Sequence, residues 1–264
     1  MLKVSILATS SAGNCSFVSD GTSRLLIDCG LAMYDTTHRL KAIGEDVDQV
    51  DAVLLTHSHS DHAFGLHTLI KRWRRGGRHV PVFCSASTFE ELPNVIPPHW
   101  YREIAQQSYW NVAGIRCETF AVPHDTGEPL GFTCASDGLR ATFALDLGWI
   151  DAPLGEYLAG ADILLLESNH DSDMLQAGPY SYLLKQRIAQ THLSNEAACK
   201  WIQKHMTART RHLLLGHLSM TTNDIEIVRL MASQAIEKRG LAAALEVIPP
   251  GGQPSGPLIL EPRS

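Results

Sequence analysis

An α/β protein of two sheets with helices outside them is what this 264-residue sequence predicts, on three observations. Short apolar runs bounded by turn residues alternate with longer stretches of helical spacing. The alternation recurs in both halves with comparable rhythm, as expected of sheets packed together and covered by helices. With 44% hydrophobic and 19% charged residues the chain can bury a sizeable core. No internal repeat, low-complexity segment or long Pro/Gly/Ser linker divides it, so residues 1–264 are expected to form one domain.

The elements follow in order. Lys3–Leu7, Cys15–Ser19 and Arg24–Ile27 read as strands, the last two joined by the turn Asp20-Gly21. Helical spacing from about Tyr34 to Ile43 precedes a strand at Ala52–Thr56. A helix over Leu66–Arg75, a strand over Val80–Cys84 and a helix near Ser87–Leu92 come next. From about Gly114 to Leu147 the pattern is strand-rich, with a hairpin across Asp137-Gly138. Ile163–Glu167 and His212–Leu215 are apolar runs of buried-strand length. Tyr180–Ala189, Asn195–Thr207 and Asp224–Lys238 carry helical periodicity.

Composition narrows the function. Lys plus Arg (22) against Asp plus Glu (28) gives a net charge of −6, which argues against a globally basic nucleic-acid coat protein and leaves room for local basic patches. No apolar run approaches the roughly 18 residues of a membrane helix. The N-terminal stretch ending in Thr9-Ser10-Ser11 is too short and polar for a signal peptide. Cys15, Cys29, Cys84, Cys117, Cys134 and Cys199 are scattered without metal-finger spacing and read as buried, reduced thiols. A soluble cytoplasmic protein with no membrane partner is expected.

The 13 histidines occur where Gly, Asp and Ser also gather. The sharpest motif is Thr56-His57-Ser58-His59-Ser60-Asp61-His62, directly after the apolar Val53-Leu54-Leu55. A strand ending in His-x-His-x-Asp-His delivers four metal-ligand side chains from one loop, of types that suit Zn, Mn or Fe, and the alternation can serve two neighbouring ions. Further ligands must come from elsewhere. His124, Asp146 and His217 each follow a short apolar run, as ligands at strand ends should.

With Asp28 in Leu26-Ile27-Asp28-Cys29-Gly30, these residues make the sequence resemble the metallo-β-lactamase superfamily. The resemblance implies a four-layer αββα sandwich of two mixed sheets with outer helices and a dinuclear site at one edge. One ion would take His57, His59 and His124, and the other Asp61, His62 and His217. Asp146 would bridge the two, and Asp28 would orient a ligand. Many antibiotic-degrading members have Cys at one ligand position where this chain has Asp, which disfavours lactamase activity and favours a two-metal hydrolase.

Three segments narrow the hydrolase. Ser10-Ser11-Ala12-Gly13-Asn14 could turn backbone N–H groups on an anion, with Ser11 and Asn14 as phosphate contacts. Glu167-Ser168-Asn169-His170-Asp171 follows a strand and offers Asn169 and His170 to substrate. Thr191-His192-Leu193-Ser194-Asn195 precedes a helix that Ser194 or Asn195 would cap, a setting that attracts phosphate, with His192 placed as general acid. Together with Gly216-His217-Leu218-Ser219, these segments resemble the YycJ (WalJ) type of the superfamily, which implies a metal-dependent 5′-exonuclease on DNA.

The segment Lys71-Arg72-Trp73-Arg74-Arg75-Gly76-Gly77-Arg78 lies close to the metal motif. Arg72, Arg74 and Arg75 could grip a DNA backbone and Trp73 stack a base. Lys200, Lys204, Arg209 and Arg211 form a second basic group. The mechanism expected is in-line attack on phosphorus by a hydroxide bridging two divalent ions, with Asp61 essential as a ligand and His192 protonating the leaving alkoxide. The alternatives are a small-molecule phosphodiesterase of the cyclic-phosphate type, then a thioesterase or lactonase, and from another class a non-hydrolytic metal-binding sensor. Oligomeric state has no signature in the sequence.

Overall fold

The computed structural model describes residues 1–262. Its strands are β1 (Leu2–Ala8), β2 (Cys15–Ser19), β3 (Arg24–Ile27), β4 (Ala52–Leu54), β5 (Val82–Cys84), β6 (Tyr101–Glu103), β7 (Tyr109–Val112), β8 (Ile115–Ala121), β9 (Leu130–Ser136), β10 (Leu139–Ala144), β11 (Ile163–Glu167), β12 (His212–Gly216), β13 (Ala244–Val247) and β14 (Leu258–Leu260). Its helices are α1 (Met33–Ala42), α2 (Ser60–Ala63), α3 (Leu66–Arg75), α4 (Ala86–Glu91), α5 (Ala152–Leu158), α6 (Ser172–Ala177), α7 (Tyr182–Thr191), α8 (Asn195–Lys204) and α9 (Ile225–Arg239). The strands form two mixed seven-stranded sheets flanked by helices, ordered β14-β1-β2-β3-β4-β5-β6 and β13-β12-β11-β10-β9-β8-β7.

Two compact units divide these elements. The first comprises Met1–Ala121, Thr126–Leu139 and the chain from Gly251. In it β1, β2 and β3 form an antiparallel meander, with Lys3 opposite Ser19 and Ser19 opposite Arg24. Asp20 closes the β2–β3 turn by accepting from the Thr22 and Ser23 amides at 2.9 and 2.7 Å, and Gly21 supplies the left-handed φ of 95°. From β3 onward pairing is parallel, Ile27 to Leu54 and Leu54 to Phe83. Parallel strands bring their carboxyl ends to one edge, so Asp28 and the Thr56-His57 loop emerge side by side. The ladder of β4 stops at Leu54, two residues before the expected Thr56, because the Thr56 amide donates to the Asp28 carboxylate instead. Helix α3 buries Leu66, Leu69, Ile70 and Trp73, spaced as one helical face, into a core with Phe17, Leu26, Val53, Leu55 and Trp100.

The second unit comprises Val122–Asp125 and Arg140–Pro250. Strands β10 to β13 run parallel, with Ala144 beside Leu166, Leu166 beside Leu215 and Leu215 beside Val247. Strand β11 is buried along its whole length, as expected for a parallel strand covered on both faces. Ser194 caps α8 by accepting from the Ala197 amide at 3.2 Å, the capping role anticipated above. Helix α9 begins on Asp224 and ends on Gly240 at φ 70°. The Trp201 indole N–H donates to the Gly155 carbonyl at 3.1 Å and ties α8 to α5. Among the described residues no helix is long and apolar enough to cross a membrane.

Candidate metal centre

In the first unit the site is built around Asp28. Its carboxylate accepts from the Thr56 amide at 2.9 Å, the Thr56 hydroxyl at 3.0 Å and the His62 Nδ1 at 2.7 Å. A hydroxyl has one proton, so Thr56 Oγ1, donating to Asp28, accepts from His57 Nδ1 at 3.0 Å. Both imidazoles thus carry their proton on Nδ1 and present a lone pair on Nε2. His57 Nε2 lies 3.1 Å from His59 Nδ1, a separation that one proton or one shared cation can occupy. His62 Nε2 lies 3.5 Å from Asp61 Oδ2. Gly30 permits this packing, since a Cβ there would stand 1.7 Å from the Asp61 carbonyl oxygen.

In the second unit the corresponding organiser is Glu167, fully buried at the end of β11. Its Oε1 accepts from His192 Nδ1 at 2.7 Å and His217 Nδ1 at 2.8 Å, and its Oε2 accepts from the amides of Leu147 at 2.8 Å and Leu193 at 3.3 Å. Burial alone would raise the Glu167 pKa, but His192 and His217 hold it below the ordinary carboxylate value. Burial opposes the charged form of His192, yet Glu167 first and then Asp146 prevail and raise its pKa. Asp146 Oδ1 sits 3.3 Å from Nδ1 of both histidines. His124 donates Nδ1–H to the Thr191 carbonyl at 3.0 Å, and its Nε2 lies 3.4 Å from Asp125 Oδ1.

Of the seven non-glycine residues with left-handed backbones among those described, three lie in this donor set: Asp28 (φ 62°), Asp146 (φ 52°) and His217 (φ 56°). Each follows a strand of the parallel set. Strain of this kind persists where surrounding bonds over-determine it, and it clusters at functional sites. The donor set fits a divalent cation. It consists of carboxylates and of imidazoles whose second nitrogen is held by a carboxylate, hydroxyl or carbonyl, the arrangement that fixes tautomer and aim in metal sites. Glu167 went unassigned in the sequence; the signal was a charge closing the apolar run Ile163–Leu166.

The expected substrate residues are mostly committed elsewhere. Asn14 donates from Nδ2 to Asp61 Oδ2 at 3.2 Å and lies 2.9 Å from His62 Nε2, so it steadies the His57–His62 loop. The amides of Ala12, Gly13 and Asn14 are taken by Ser10 Oγ, Ser10 O and Asp61 O, so that turn closes on itself; Ser11 is exposed. Asn169 donates to the His217 carbonyl at 2.9 Å, and Asn195 bonds with Ser168 and Asn223. His170 is buried with no partner on Nδ1, and burial lowers its pKa.

Trp73 corrects the expected base stack. It is fully buried and its indole N–H donates to the Val47 carbonyl at 2.9 Å, so its ring packs the core and presents no face to a base. Arg72 pairs with Asp48 through two bonds of 2.7 and 2.6 Å, while Arg74 and Arg75 are exposed. Arg209 pairs with Asp162 at 2.9 Å.

Fold and donors together define a metal-dependent hydrolase. The chain belongs to the beta-lactamase superfamily, whose domain model matches residues 23–218, a stretch holding Asp28, the His57–His62 motif, His124, Asp146 and His217. It is 31% identical over 244 residues to a protein of Bacillus anthracis named exodeoxyribonuclease YycJ, covering 90% of each chain. It is 28% identical over 251 residues to exodeoxyribonuclease WalJ of Streptococcus pneumoniae, covering 92% of this chain and 91% of the relative. The metallo-β-lactamase-fold protein YhfI from Bacillus subtilis has the same fold, with a TM-score of 0.73 at 16% identity over 97% of this chain and 99% of that one.

Proposed function

We propose that this chain is a 5′-exonuclease on DNA, acting as a phosphodiesterase with two divalent ions of the Zn, Mn or Fe type. One observation carries the chemistry: buried Glu167 holds His192 and His217 through Nδ1, which leaves one imidazole as a ligand and the other as an acid. The DNA specificity is supported by the two exodeoxyribonuclease relatives, each matched over about nine tenths of the chain. The family model runs unbroken from 23 to 218, which supports residues 1–264 working as one domain. Six buried cysteines, none in a disulfide, fit the reducing cytoplasm.

Bound at this centre, the two ions acidify water and offset charge on the phosphoryl group. His57, His59 and His124 would hold one, and Asp61, His62 and His217 the other, with Asp146 shared between them. Asp28 and Glu167 keep the imidazoles aimed and in the right tautomer. His192 keeps its Nδ1 proton on Glu167 and delivers the proton on Nε2 to the departing alkoxide. Arg74 and Arg75 contact the DNA backbone.

A leaving-group series tests this assignment. His192→Ala lowers kcat by about 10²–10⁴-fold on a diester with an alkoxide leaving group and far less on a p-nitrophenyl ester, which departs without protonation. An unchanged kcat on the alkoxide substrate removes His192 as the acid.

A further inference from the structure

We infer that Trp149 is a stacking platform for a base of the nucleotide bound at the metal centre, an inference that rests on the nuclease reading above. The indole is 59% exposed, although burying a Trp is among the larger stabilising contributions open to a side chain. Among the described residues no ring contact or hydrogen bond engages it. An isolated exposed apolar residue is ordinary; the position of this one is not.

Trp149 lies three residues beyond Asp146, and both residues between are tied into the site. The Leu147 amide donates to Glu167 Oε2 at 2.8 Å. The Gly148 amide donates to the Pro123 carbonyl at 2.8 Å, one residue before His124. Gly148 also lies so close to the Gln190 carbonyl, two residues before His192, that a Cβ would stand 1.8 Å from that oxygen. On the far side Asp151 caps α5 by accepting from the Leu154 amide at 2.9 Å. The backbone on either side of Trp149 is therefore held, and a large aromatic surface faces solvent beside the segments that carry Asp146, His124 and His192. Every base has a π-face, so an exposed indole on this held backbone accepts any nucleotide without reading its sequence. With Trp73 buried, Trp149 is the exposed tryptophan attached to the donor set.

The test compares two single-stranded oligonucleotides, identical except that one carries an abasic site in place of the 5′-terminal base. Wild type, Trp149→Ala and Trp149→Phe are assayed with Mn²⁺. The inference expects Trp149→Ala to raise KM on the intact oligonucleotide by about 5- to 100-fold with kcat within about threefold. Trp149→Phe recovers most of that loss, and on the abasic oligonucleotide wild type and Trp149→Ala behave alike. An unchanged KM, or an equal loss on both oligonucleotides, overturns the stacking role; the second result, with a changed sedimentation profile, would assign Trp149 to a contact between copies of the chain. If wild type degrades neither oligonucleotide yet cleaves a small phosphodiester, the nuclease reading fails and this inference falls with it.

Discussion

Glu167→Gln is the perturbation that probes the site most sharply. Four N–H groups converge on the Glu167 carboxylate, two from imidazoles and two from the Leu147 and Leu193 backbone. Glutamine has the same shape but only one acceptor oxygen, and its NH₂ must face two of those four donors. If the oxygen stays with the backbone pair, the imidazoles meet an amide donor. They then either turn Nδ1–H to Asp146 Oδ1, 3.3 Å from both, which re-aims the rings, or move their protons to Nε2, which removes the lone pair His217 offers a metal. If the oxygen stays with the imidazoles, two buried amides are left without partners. At about 1–3 kcal/mol for each orphaned donor the substitution destabilises the protein by roughly 2–6 kcal/mol. Removing the partner that orients a ligand lowers metal affinity by about 10- to 100-fold. Competition with a chelating dye for Mn²⁺ or Zn²⁺ measures the affinity, and urea unfolding measures the stability. A Glu167→Gln protein that binds metal within threefold of wild type and keeps its kcat refutes the account of Glu167 as organiser of both histidines.

Other outcomes follow from the same packing. Trp73→Ala opens a cavity in the core and orphans the Val47 carbonyl, so it lowers stability by about 3–5 kcal/mol in urea unfolding without altering the DNA affinity of the folded protein. Replacing Arg74 and Arg75 by Ala does the reverse: stability holds, DNA binding weakens, and hydrolysis of a small diester is unaffected. The slope of log K against log salt becomes shallower by about 0.9 for each phosphate that an arginine no longer neutralises. Burial pushes the Cys84 and Cys199 thiols up to about 12 and about 11 from 9.0. The unfolded chain then ionises first, so stability is complete below about pH 9 and declines as pH rises toward the folded values, by about 1.4 kcal/mol per thiol at pH 10. Urea midpoints at pH 8 and 10 check this, and Cys84→Ala narrows the difference.

The parts legible in the sequence are those written in local pattern. The loop after β4, and His124, Asp146 and His217 after their apolar runs, stood out because a polar ligand type closing a buried strand is a local signal, while Asp28 was reached through the family resemblance. The same pattern occurs at Glu167, which went unassigned because its role depends on His192 and His217, 25 and 50 residues away, and on the Nδ1 geometry they share. The left-handed backbones of Asp28, Asp146 and His217 leave no mark in residue type, since none is glycine. All four edge strands, β6, β7, β13 and β14, were absent from the expected elements. They are three or four residues long with mixed burial, and only pairing to a neighbour makes them strands. Trp73 is a different case: Leu66, Leu69, Ile70 and Trp73 spell one helical face, and the surrounding arginines drew the tryptophan into the wrong role.

The central claim is a metal-dependent 5′-exonuclease, and one measurement addresses it directly. Double-stranded DNA labelled at the 5′ end is incubated with Mn²⁺ and wild-type or Asp61→Ala protein at two salt concentrations. Release of labelled mononucleotides by the wild type alone, slower at the higher salt, is the expected result. Intact label with the wild type, while it still cleaves a small phosphodiester in an Asp61-dependent way, would contradict the claim and mark the chain as a small-molecule phosphodiesterase.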